Sequence, residues 1–151
     1  MEAVIFIGAQ GSGKTTFYRE HFFNTHVRIS LDMLRTRHRE QILLAACLAA
    51  KQPFAVDNTN PVPSDRTRYI GPARRAGFRP VAYLFRASLR EAMQRNNQRS
   101  GKQRIPPAAV ARTFLKLQVP TLDEGFDAVY TVTISSGGRF VVTEGLTPER
   151  A

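Results

Sequence analysis

Residues 8 to 15 read Gly-Ala-Gln-Gly-Ser-Gly-Lys-Thr and follow directly on the apolar run Ala3-Val4-Ile5-Phe6-Ile7. A G-x-x-x-x-G-K-[ST] spacing between a strand and a helix is that of a phosphate-binding loop. Its glycines let backbone N–H groups converge on phosphate oxygens, and the following helix adds the positive end of its dipole. In that chemistry Gly8, Gln10, Gly11, Ser12, Gly13, Lys14, Thr15 and Thr16 cradle a nucleoside triphosphate. Lys14 reaches the β and γ phosphates, and the Thr15 hydroxyl ligates Mg²⁺. The expected cofactors are therefore ATP, or another NTP, and Mg²⁺.

The phosphate acceptor is read from fewer residues. Asp32 follows a short apolar strand, where α/β folds gather ligand groups, and a carboxylate there suits a base for an acceptor hydroxyl; it suits a helix cap equally. Arg35, one helical turn on, is a candidate acceptor contact or a surface arginine. Asp57 ends the apolar run Phe54-Ala55-Val56 as a second Mg²⁺ contact would. Asn58 and Asn60, before Pro61, are candidate acceptor-binding residues or parts of a tight turn. Arg95 and Arg99, four apart, share a helix face and are placed to meet the donor phosphates from a lid, or to form a solvated basic surface.

These groups need elements to hold them. Strands and helices alternate along the chain, which predicts an α/β domain around a mainly parallel sheet. The expected strands are 3–7, 27–30, 54–56 and 80–85. Helices are expected over 14–23, from Asp32 to Gln52, from Ser64 as N-cap to Ala76 with Gly77 as the stop, and from Ser88 through Arg95. The polar, basic stretch 96–105 reads as mobile. Pro106-Pro107 then opens a helix with Val110, Phe114 and Leu117 on one face, and 127–144 reads as a terminal hairpin around Ser-Ser-Gly-Gly. The whole is a single domain over 1–151, with a lid at about 88–118.

At 151 residues and 42% hydrophobic content the chain is ordinary for one globular domain. No run approaches a membrane span, and no basic-then-apolar leader precedes the first strand, so the expected location is cytoplasmic. The single Cys47, within an apolar segment, reads as a small buried hydrophobe. The net charge of +10, mostly arginine, predicts a polyanionic partner.

Beyond these local readings, nearly the whole chain resembles the kinase domain of polynucleotide 5′-hydroxyl kinases, found in phage end-healing enzymes and the eukaryotic kinase-phosphatase. The resemblance runs through the phosphate loop, the strand–Asp32 junction, Val56-Asp57-Asn58-Thr59-Asn60-Pro61 and Ser64…Arg66-Thr67-Arg68-Tyr69. It continues through Arg95-Asn96-Asn97-Gln98-Arg99, Ile105-Pro106 and Pro120-Thr121-Leu122-Asp123-Glu124-Gly125-Phe126. It implies a three-layer sandwich of the P-loop NTPase type with a helical lid, and a nucleic acid with a 5′-OH end, DNA or RNA, as partner beside the NTP donor. It also implies that Asp32 is the general base, that Arg35 contacts the acceptor's phosphate, and that Arg99 meets the donor phosphates. Some members carry Arg just before the base, where this chain has Leu31. The phosphatase and ligase domains often fused to these kinases are not in this sequence, so those steps would need a separate partner. Two other functions stay open at this level: a small-molecule kinase for a sugar, nucleoside or antibiotic, and a non-catalytic module that binds NTP and nucleic acid.

Overall fold

The apolar run at the start of the chain forms β1 (Glu2–Ile7), with Ala3 to Ile7 inaccessible to solvent on both faces. Such a continuous apolar strand belongs in the middle of a parallel sheet covered on both sides, and that is its place. The computed structural model describes residues 1–101 and 104–146. Its sheet also contains β2 (Val27–Ile29), β3 (Phe54–Val56), β4 (Arg79–Phe85), β5 (Ala128–Ile134) and β6 (Phe140–Glu144), in the order β2-β3-β1-β4-β5-β6. The first five are parallel and β6 returns antiparallel to β5 as an edge strand. Register pairs Ile5 with Val56 and Val56 with Ile29, so Gly8, Asp57 and Ser30 leave the sheet along the same carboxyl edge. In open α/β sheets this edge, where strand order reverses, is where ligands bind.

Helices cover both faces. α1 (Lys14–His21) packs on the face of Val4, Phe6 and Phe85, bringing Phe17, Tyr18 and Phe22. Phe6, Phe17, Phe22, Tyr83 and Phe85 form an aromatic cluster with mostly edge-to-face contacts and ring centroids 5.0 to 6.1 Å apart. On the opposite face, α3 (Arg37–Ala50) and α4 (Pro63–Arg75) bury Leu44, Cys47, Tyr69, Ile70 and Ala73 against Ile5, Ile7, Val56 and Leu84. Cys47 is thus part of the core, and burial pushes its thiol pKa up. The result is a three-layer α/β sandwich.

Several boundaries differ from those expected. The helix anticipated from Asp32 to Gln52 is two: α2 (Leu31–Leu34) ends at Arg35, whose φ of 74° breaks the helix, and Thr36 caps α3 by accepting from the Arg39 N–H at 3.2 Å. Helix α4 starts at Pro63, not after Ser64. Proline's fixed φ suits the first helical position, and the Asp65 carboxylate accepts from the Val62 N–H at 3.3 Å. Ser88 does cap α5 (Leu89–Asn97), in a reciprocal pair with Glu91. In its last turn Asn96 is fully buried; its side chain donates to the Ile105 carbonyl and accepts from the Ile105 N–H at 2.8 Å. The stretch expected to be mobile therefore has a buried clamp joining its two ends. α6 (Pro107–Lys116) buries Val110, while Phe114 is partly and Leu115 largely exposed. Lys102, Gln103 and the tail from residue 147 lie outside the described residues.

One buried cation knits α4 to the carboxyl edge. Arg66 is inaccessible to solvent and donates to the Asn60 carbonyl at 3.0 Å, the Pro61 carbonyl at 3.1 Å and the Gln118 carbonyl. It also forks onto the Glu124 carboxylate at 2.9 and 3.1 Å. Burial lowers the Arg66 pKa, and the Glu124 charge opposes that shift. Removing one partner from such a group strands the other's charge and several carbonyls. Urea unfolding of Arg66→Met should show a loss of about 3–5 kcal/mol. Arg74→Ala, which removes an ion pair to Asp127 that is half-exposed, should lose far less.

Candidate active site

The phosphate loop is held from both sides. Gly11 has a φ of 78°, and a Cβ there would stand 2.4 Å from the Ala92 carbonyl of α5. Gly13, at φ 98°, precedes α1 and faces Phe140 and Ile134 of the β5–β6 hairpin, which a Cβ would meet at 3.1 and 3.3 Å. No acidic residue occupies the first turn of α1, leaving its N–H groups and dipole for an anion. Thr16 is exposed there, Ser12 is buried, and the Gln10 Oε1 is buried without a hydrogen-bond partner. The loop's start is sewn to the turn after β3: the Gly8 N–H donates to the Thr59 carbonyl at 3.0 Å.

Lys14 lies under the loop, donating to the carbonyls of Gly8 at 2.9 Å and Ala9 at 2.8 Å and, more weakly, to the Ser12 hydroxyl at 3.4 Å. Burial drives its pKa down to about 8; the Arg99 charge adds to that effect, and Asp57 and Asp32 oppose it. Arg95 reaches the same loop, its Nη1 lying 3.4 Å from the Gly11 carbonyl. Arg99 does not continue the helix face as the four-residue spacing suggests. Helix α5 ends at Asn97, and Arg99 follows in a turn bonded to the Asn96 carbonyl at 3.1 Å.

Thr15 and Asp57 come together as hard oxygen ligands. The Thr15 hydroxyl donates to Asp57 Oδ2 at 2.8 Å, and Asp57 is buried at the end of β3. One hydroxyl and one carboxylate fit Mg²⁺, which keeps several waters and draws its remaining ligands from substrate phosphates. The same Oδ2 accepts from Arg28 Nε at 2.8 Å, and Arg28 Nη2 lies 3.4 Å from the Thr15 hydroxyl.

Asp32 is exposed on α2 and makes no hydrogen bond or ion pair with the described residues. Arg35 is exposed at the helix break, so it does not stand above Asp32 as the next turn of a continuous helix. Asn58 and Asn60 are engaged inside the protein. Asn58 Oδ1 accepts from the Leu31 N–H at 2.9 Å, and its amide donates to Glu40 Oε2 at 2.9 Å and to the Tyr69 hydroxyl at 3.2 Å. Buried Glu40 also accepts from Tyr69 at 3.0 Å and from Arg37 at 2.8 Å. Burial and the Glu40 charge push the Tyr69 pKa up to about 12. Asn60 is buried at φ 46°, donating to the Phe6 carbonyl at 2.9 Å. Beside these residues opens a cavity of about 450 Å³, lined in part by Leu31, Asn58, Arg37, Arg112 and Lys116.

Residues 4–120 match the AAA domain family profile, which covers more than half of the chain. The chain belongs to this family. The bifunctional polynucleotide phosphatase/kinase of Schizosaccharomyces pombe is 26% identical to this AAA domain over 136 residues, 87% of this chain. The domain spans 33% of that relative's length. A gluconokinase from Sinorhizobium meliloti superposes with a TM-score of 0.60 at 18% identity, covering 87% of this chain and 82% of its own. Kti12 of Chaetomium thermophilum, in complex with ADP-AlF3, gives 0.62 at 16% identity over 87% and 88%. The AAA domain thus has the P-loop kinase fold.

Sequence reasoning did not single out Arg28, Arg37, Glu40, Arg112 or Lys116 in this domain, and named Tyr69 only within the resemblance motif. Nothing in a strand residue such as Arg28 signals that its side chain returns to the sheet edge. Arg112 and Lys116 were legible only as a four-residue pair on a helix. For Lys14, folding lowers the pKa, so between about pH 8 and 10.5 the unfolded chain holds the proton that the folded chain has lost. Its contribution to stability is accordingly unfavourable below pH 8 and is relieved as pH rises through that window. Carbon-13 NMR of the lysine ε carbons should show one resonance with a midpoint near pH 8, absent in Lys14→Met.

Proposed function

We propose that this domain is a polynucleotide 5′-hydroxyl kinase, transferring the γ-phosphate of ATP or another NTP to the 5′-OH of DNA or RNA. The observation that carries this reading is the cavity beside Leu31, the residue before Asp32, lined by Arg37, Arg112 and Lys116 with one carboxylate, Asp65. Arg37 is paired with Glu40, which leaves Arg112 and Lys116 as the cations that suit an acceptor bringing its own phosphates, and phosphate contacts position a strand without reading its sequence. The net charge of +10 favours the same class of partner. The similarity to the S. pombe phosphatase/kinase supports it further.

In this mechanism the NTP phosphates lie on the loop 8–15, against the N-terminus of α1. Lys14 moves from the Gly8 and Ala9 carbonyls to the β and γ phosphates, while Arg95 and Arg99 approach from α5 and the turn after it. Thr15 and Asp57 would hold Mg²⁺, which when bound would neutralise phosphate charge. Asp32 accepts the proton of the 5′-hydroxyl as its oxygen bonds to the γ-phosphorus in line. The bond from that phosphorus to the β–γ bridging oxygen breaks, and the NDP leaves. Arg35, at the end of α2, and the cations of the cavity hold the acceptor strand. Asn58 acts through Leu31: it fixes the start of α2, and through it the position of Asp32.

The cavity volume also lies in the range of small-molecule pockets, and the gluconokinase shares the fold, so a small-molecule kinase is the second reading. Labelled ATP offered with 5′-OH oligonucleotides and, in parallel, with sugars and nucleosides separates the two. Oligonucleotides should be labelled, and Asp32→Ala should lose about 10²–10⁴-fold in turnover. Arg112→Ala/Lys116→Ala should raise the oligonucleotide KM and flatten the slope of its logarithm against log salt by about 0.7 for each phosphate left unneutralised. Labelling of a sugar or nucleoside with inert oligonucleotides would favour the second reading.

A further inference from the structure

The two oxygen ligands offered to Mg²⁺ are already covered by a cation from this chain. Arg28 extends from β2, the edge strand, across β3 to the carboxyl end of the sheet. There its Nε is 2.8 Å from Asp57 Oδ2 and its Nη2 3.4 Å from the Thr15 hydroxyl. The Asp57 side chain is 2% exposed and that of Arg28 25%. The buried carboxylate is thus charge-balanced without a metal, while the guanidinium keeps a path to solvent.

We propose that Arg28 is a gate on the metal site: it neutralises Asp57 in the nucleotide-free protein, opposes binding of a bare divalent ion, and gives way when the ion arrives with a polyphosphate. A divalent ion at Thr15 and Asp57 must either displace the guanidinium or sit beside a like charge, and in a partly buried site both are costly. The negative charges of a triphosphate remove that penalty, because they attract the ion and Arg28 alike. Arg28 can then turn outward along its exposed side. Metal and nucleotide bind as one unit, and the gate is a coupling between the two ligands. Sequence alone places Arg28 in a three-residue strand; its meeting with residues 15 and 57 is a tertiary fact.

The inference rests on the metal role given to Thr15 and Asp57 and is independent of the acceptor. Its test is Mn²⁺ binding followed by electron paramagnetic resonance of free Mn²⁺, with and without a non-hydrolysable ATP analogue, in wild type, Arg28→Gln and Arg28→Lys. Arg28→Gln keeps a hydrogen-bonding group near Asp57 but no charge, and should bind Mn²⁺ alone at least about tenfold more tightly than wild type. Its affinity for Mn²⁺ in the presence of the analogue should change less, so the coupling falls. Arg28→Lys retains the charge and should stay near wild type, and thermal melting reports whether each variant is folded. Equal Mn²⁺ affinity of folded Arg28→Gln and wild type overturns the gate and leaves the kinase reading intact. If Arg28→Gln does not fold, tighter binding of Mn²⁺ alone by Arg28→Lys than by wild type overturns it, and near-equal binding supports it. Wild type that takes up no Mn²⁺ even with the analogue overturns the metal role and the gate together.

Discussion

Two hydrogen bonds at the carboxyl edge of the sheet hold the candidate site together. The Gly8 N–H meets the Thr59 carbonyl at 3.0 Å, and the Asn60 amide meets the Phe6 carbonyl at 2.9 Å. They satisfy backbone groups that would otherwise be stranded where β1 stops, since buried peptide groups without partners are expensive. In doing so they fasten the phosphate loop to the turn after β3. Thr15 and Asp57 then approach because their two loops are already joined. Arg66 holds that turn from below through the Asn60 and Pro61 carbonyls and ties it onward to Gln118 and Glu124.

From the same turn the setting of α2 and Asp32 is built. Asn58 links the Leu31 N–H to the buried Glu40–Tyr69 pair, so the four-residue helix bearing Asp32 is set by a polar network and not by its own length. A helix that short has almost no intrinsic stability. The exposed Asp32 carboxylate owes its place to buried neighbours, and such partitioning leaves the carboxylate accessible while its support is rigid. Arg37 serves both parts, bonded to Glu40 and lining the cavity.

The donor side was the more legible half. Glycine spacing, a preceding apolar strand and Lys-Thr at its end are consecutive in sequence, and the folded loop keeps them consecutive in space. The proposed acceptor side was read less well because its parts lie on α2, α3, the turn after β3 and α6. Asn58 and Asn60 illustrate the difference. Their position before Pro61 suited either acceptor contacts or a tight turn, and in the folded chain their amides are spent on the Leu31 N–H, Glu40, Tyr69 and the Phe6 carbonyl. The break at Arg35 was equally hidden, because a left-handed arginine between two helical stretches leaves no mark in hydrophobic periodicity.

The phosphate loop, the α/β alternation and the strongly basic character could all be read along the chain, because each is a property of neighbouring residues or of the sum. Which charges meet was a matter for the folded molecule: Arg28 on Asp57, Arg66 on Glu124, and Arg112 with Lys116 and Arg37 around one cavity. Charge interactions fall off with distance through space and are indifferent to distance along the chain. A sheet order of β2-β3-β1-β4-β5-β6 brings together residues that no local pattern connects.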